Sequence, residues 1–74
     1  MRFPNKVTNY KKSVLSKLPI ILDLLSEKDY TVSVLFDSVS KEMTVTEYID
    51  ALDCLFALGT INYSKGVLHY VKGN

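Results

Sequence analysis

Three carboxylates, Glu47, Asp50 and Asp53, crowd one short stretch of the chain and fall on one side of it if that stretch is helical. Carboxylates so placed can act as a general acid and base, or hold a cation. Neither chemistry finds a supporting group. The single histidine, His69, alternates with Val67 and Val71 on a strand-like segment, where a lone histidine is a surface or satisfied residue. Cys54 has no cation beside it in sequence to activate a thiol and reads as a small, semi-buried apolar residue. One cysteine and one histidine exclude both an internal disulfide and a zinc site built on Cys and His. No glycine-rich phosphate loop is present. The carboxylates therefore read as the solvated face of an amphipathic helix, and the chain as a non-enzyme without metal or cofactor.

The element carrying them is the most strongly signalled one. Thr44-Val45-Thr46-Glu47 fits a capping box, and Val45, Tyr48, Ile49, Leu52, Leu55 and Phe56 form an expected buried stripe. Gly59 stands where a left-handed helix end is wanted. Beyond it, residues 60–63 and 67–71 are β-branched and aromatic around Ser64-Lys65-Gly66, which predicts a hairpin with Gly66 at positive φ.

Upstream, Val14, Leu15, Leu18, Ile21, Leu22 and Leu25 recur at helical spacing, with Ser13 as the expected cap. Pro19 inside that pattern predicts a kink, or a start after Ser16. Tyr30-Thr31 is long enough only for a bridge strand. A second helix, capped by Thr31 or Ser33, runs to about Ser40. Residues 1–9 show no period, and residues 1–12 read as an extended basic lead-in to a domain spanning 13–74. The order α-β-α-α-β-β predicts an α+β fold, a small winged helix-turn-helix domain with residues 60–71 as its wing.

A DNA-reading winged helix lays its third helix in the major groove and contacts bases and phosphates with Arg, Lys, Asn and Gln. Residues 44–59 contain none of these, and three carboxylates facing a phosphate lattice are repelled. The formal net charge of +1 conceals strong segregation: residues 1–17 sum to +5 and residues 18–59 to −6. Arg2, Lys6, Lys11, Lys12 and, on the wing, Lys65 are the candidates for weak, nonspecific nucleic-acid contact.

Seventy-four residues allow one small domain, and a chain of this size buries only about 60% of its unfolded surface. Yet 47% of the residues are hydrophobic and the mean hydropathy is +0.09. The longest apolar run, residues 18–22, is far short of the roughly 18 residues that span a bilayer. With no secretory signal pattern, the expectation is a cytoplasmic protein with no membrane partner. The apolar surplus, Phe3, Val7 and Tyr10 in the lead-in and Ile20 and Leu24 on the flank of the first helix, points to docking on another protein. Glu47, Asp50 and Asp53 beside that patch would suit a basic partner.

Residues 1–6 (Met-Arg-Phe-Pro-Asn-Lys), Lys12-Ser13-Val14-Leu15 and Ile21-Leu22-Asp23-Leu24-Leu25 resemble the middle components of bacterial ABC-three-component systems. So does the run of residues 48–61, Tyr-Ile-Asp-Ala-Leu-Asp-Cys-Leu-Phe-Ala-Leu-Gly-Thr-Ile, whose junction between third helix and wing is the strongest part of the match. In that family a small winged-helix protein accompanies a large ABC-type ATPase, similar to SMC-like coiled-coil ATPases, and a variable effector. The resemblance implies a non-catalytic adaptor in a system associated with antiphage defence, and carries no catalytic or ligand residues with it. A small DNA-binding regulator is the alternative, and a homodimer formed through the first helix is a further one.

Overall fold

The computed structural model describes residues 5–71, with side chains from Asn9 onward. Its first element, helix α1, spans Asn5–Glu27, and its first buried side chain is Val14. The expectation that residues up to 12 are extended is thus corrected: from Asn5 they are helical. Apolar periodicity records only the part of a helix that has a core to face, and the described side chains of α1 before Val14 overhang the core. Ser13 is consequently an interior residue, not a cap. The helix also continues through Pro19 instead of starting after Ser16. Pro19 is exposed and lacks only the N–H that would meet the Leu15 carbonyl, on a side open to water.

Lys28-Asp29 leads to Tyr30, which forms an isolated antiparallel bridge with Leu68. Helix α2, Val32–Val39, starts on Thr31, whose Oγ1 accepts from the Val34 N–H at 3.2 Å. Helix α3, Val45–Leu58, carries the expected capping box in full. The Glu47 N–H donates to Thr44 Oγ1 at 3.1 Å, and the Thr44 N–H donates to Glu47 Oε1 at 3.0 Å. Gly59 ends α3 at φ 76°, bringing the Thr60 N–H onto the Leu55 carbonyl at 3.1 Å.

Strands β1, Ile61–Ser64, and β2, Val67–Tyr70, pair antiparallel with Ile61 opposite Tyr70 and Ser64 opposite Val67. Lys65 at φ 54° and Gly66 at φ 84° make the two-residue turn whose twist matches the strands. Three helices and a C-terminal hairpin give an α+β arrangement consistent with a winged helix-turn-helix domain.

The core gathers Val14, Leu18, Ile21 and Leu25 from α1, Leu35 and Val39 from α2, and Tyr48, Ala51, Leu52 and Leu55 from α3. Met43, Ile61 and Leu68 close it. Leu15, expected inside, is 55% exposed. Tyr48 ties α3 to α2 twice: its hydroxyl donates to the Val32 carbonyl at 2.6 Å, and its ring meets Phe36 at 5.0 Å between centroids. His69 Nδ1 lies 2.8 Å from Asp29 Oδ2, linking the hairpin to the loop after α1.

Candidate protein interface

Helix α3 has three sides, and each does something different. One faces the core through Tyr48, Ala51, Leu52 and Leu55, the i, i+3, i+4, i+7 stripe. Val45, Ile49 and Phe56, expected in that stripe, are instead 55%, 52% and 41% exposed. The fold rolls α3 so that small Ala51 faces the core, fully buried. The larger side chains then line an outer stripe at i, i+4, i+11 spacing. Ala57, two turns further on, is exposed.

A second side meets α1, and here two of the three carboxylates are spoken for. Ser13 Oγ donates to Glu47 Oε2 at 2.7 Å, and Lys17 Nζ lies 3.9 Å from the same oxygen while donating to Ser13 Oγ at 2.9 Å. The Thr44 backbone N–H, foremost, and the Ser13 hydroxyl hold the Glu47 carboxyl below the usual 4.5. The Tyr10 hydroxyl donates to Asp50 Oδ2, and that bond to a carboxylate is the main reason its phenol is pushed up to about 12. Glu47 and Asp50 therefore clamp α1 to α3 instead of forming a freely solvated acidic face. Asp53 alone of the three is exposed, and no ion pair engages it among the described residues.

The third side of α3 is where a winged helix that reads DNA would meet the duplex. It presents Val45, Thr46, Ile49, Asp53 and Phe56 and not one cation. A groove lined by Val32, Phe36, Val45, Ile49 and Tyr63 continues the apolar stripe across α2 and the hairpin. Such a surface neutralises no phosphates and presents base edges with no Arg, Lys, Asn or Gln. It matches the apolar, aromatic-bearing centre of a protein interface.

The other expected contact residues are scattered. Ile20 and Leu24 are half-buried against the core, so they are not the free flank expected of them. They answer the width of the α1 stripe with packing. Arg2 and Phe3 lie outside the described residues, as do the side chains of Lys6 and Val7 on the first turn of α1. Lys11 and Lys12 are exposed on the overhang, and Lys65 is exposed at the hairpin turn. Sequence reasoning missed the exposure of Leu15, Leu58, Val45, Ile49 and Tyr63. The signal that could have found them is redundancy, since a 14-residue helix with four core positions has more large apolar residues than it can bury.

Among the described residues, no group of three or more His, Cys, Asp or Glu is arranged to hold a metal ion. Among the same residues, no helix is long and apolar enough to cross a membrane. No curated protein and no solved structure matches the chain. The family described as ABC-three component (ABC-3C) system Middle Component 7 matches residues 3–68, a span that takes in all three helices and reaches into the second strand. The chain belongs to that family of middle components.

Proposed function

We propose that this chain is a non-catalytic adaptor that docks on the large ATPase of its three-component system and couples it to an effector. The observation that carries the reading is the outer stripe of α3, where Val45, Ile49 and Phe56 stand exposed beside Asp53 and no cation. An apolar stripe of this kind gains by being taken out of water against another protein. The same stripe would lose against DNA, because it releases no counterions. Family membership supports the adaptor role, since a middle component works among other components.

Co-purification of the tagged chain from its own operon, with and without the neighbouring ATPase gene, tests this reading. The expected result is a stable complex with the ATPase. A monodisperse monomer that leaves the ATPase in the flow-through would refute it.

Exposed Lys11 and Lys12 on the α1 overhang favour one subsidiary reading, weak phosphate contact away from α3. Its signature is anisotropy with duplex DNA at low salt that disappears by 200 mM salt and on Lys11→Ala/Lys12→Ala substitution. A small DNA-binding regulator would instead keep measurable, sequence-dependent affinity in both cases.

A further inference from the structure

Beside the α3 outer stripe, and meeting it at Asp53, the seam between α1 and α3 is open along much of its length. Two grooves follow it, one between Leu15 and Cys54, the other between Leu22 and Leu58. They share one wall. Lys11, Leu15, Leu18, Leu22 and Ser26 step along α1 at i, i+4, i+7, i+11 and i+15, a single stripe of that helix. From Lys11 to Ser26 this wall runs about 22 Å, the length of a four-turn helix.

The seam is apolar along its middle and acidic at both ends. Leu15 and Leu58 are 55% and 67% exposed, the latter the most exposed large apolar side chain among the described residues. Asp53 lines the groove at one end and Asp23 the groove at the other. Both are exposed, and neither is in an ion pair among the described residues. Asp50, also in the wall, already accepts the Tyr10 hydroxyl. Among the described residues Lys11 is the single cation lining either groove, so carboxylates predominate there.

We infer that this seam takes a basic amphipathic helix of a partner protein, its apolar face on Leu15, Leu22 and Leu58 and its Lys or Arg residues over Asp23 and Asp53. Helix-in-groove docking reads such i, i+3, i+4, i+7 anchors, and the acidic ends fix the register of the bound helix. The seam adjoins the α3 outer stripe at Asp53 and runs from there along α1, which gives the chain two neighbouring docking faces, as a protein that joins two others requires. The inference rests on the adaptor reading for the existence of a partner, but not for the location or charge of the groove.

A photo-crosslinking amino acid at position 15 or 58, in the full chain co-expressed with its operon neighbours, tests it directly. The expected result is a crosslink to a Lys- and Arg-rich helical segment of a partner protein. It is accompanied by about a tenfold loss of that partner in Leu58→Lys and in Asp23→Lys/Asp53→Lys. Leu58→Lys keeps α3 intact, because a cation at a helix C-terminus is favourable and the side chain it replaces is mostly in solvent. Unchanged melting curves for both variants confirm that folding is not what is read. A complex recovered without crosslinks from these positions, or with crosslinks only to a second copy or to an acidic segment, overturns the seam and leaves the adaptor reading standing. Failure to recover any complex with the unmodified chain overturns both.

Discussion

The hydroxyl of Tyr10 donates to Asp50 Oδ2, joining residues forty positions apart and pinning the overhanging start of α1 to the middle of α3. Nothing N-terminal to Val14 is buried among the described side chains, and among them this bond and the Ser13–Glu47 bond tie that stretch to α3. Tyr10→Phe should therefore fray α1 locally. Hydrogen exchange should accelerate over residues 5–13 and stay slow from Val14 to Leu25. Uniform acceleration along the whole helix would show that the bond serves global stability instead.

Alkaline pH offers a second readout of the same pair. Tyr10, through its bond to Asp50, and Tyr48, through burial, both have phenols raised from 10.0 to about 12. Both hydroxyls stay protonated in the fold while the unfolded chain ionises, so stability present below pH 10 is lost as pH rises toward 12. Thermal melts across that interval should fall, and should fall less steeply in Tyr10→Phe. Equal slopes in the two proteins would argue against the Tyr10 assignment.

Glu47 sets the acid limb. Its carboxyl is held below 4.5 by the Thr44 N–H and the Ser13 hydroxyl, so it stabilises the fold above 4.5 and ceases to do so as pH falls through its lowered value. Glu47→Gln should flatten the acid side of the stability profile. Thr44→Ala, which removes the cap of α3, should cost about 1 kcal/mol, lowering Tm by about 4–8 °C. The check is circular-dichroism melting from pH 3 to 7.

The cap, the helix and the hairpin around these residues were legible in the sequence because each is local. Thr44 and Glu47 are three residues apart, Gly59 ends its own helix, and Gly66 turns its own strands. The start of α1 was not legible, since helical residues beyond the core carry no apolar period. Nor was the use of Glu47 and Asp50, whose partners on α1 lie 34 and 40 positions away. Three acids on one helix look alike in sequence, and only packing against α1 separates the two that clamp from Asp53, which no ion pair engages among the described residues. The roll of α3 is likewise a tertiary decision, since Val45 and Ile49 satisfy helical periodicity as well as Ala51 does.

The hairpin turn gives opposite predictions at adjacent positions. A Cβ on Gly66 would meet no atom within 4 Å, so Gly66→Ala should cost only the backbone penalty of φ 84°, about 1 kcal/mol. Lys65 already bears such a penalty at φ 54°, and Lys65→Asn should recover roughly 0.5 kcal/mol of it. Urea melts of both variants test the pair, and a destabilised Lys65→Asn would contradict the assigned turn.

Core and surface leucine-like positions should separate cleanly. Leu35 is fully buried, and Leu35→Ala should cost about 2–5 kcal/mol, a large share of the stability of so small a domain. Ile49→Ala should change stability by no more than about 0.5 kcal/mol, because the side chain is half in solvent. Comparable losses for both would mean that the outer stripe of α3 belongs to the core.

Ile49→Glu, assayed by recovery of the ATPase on the tagged full chain expressed from its operon, bears most directly on how α3 is used. If the outer stripe docks polypeptide, the ATPase co-elutes with the unmodified chain and falls by about tenfold or more with the variant, at unchanged Tm. Equal recovery with both chains would contradict that use of α3, as would steeply salt-dependent duplex binding by the unmodified chain that Ile49→Glu abolishes.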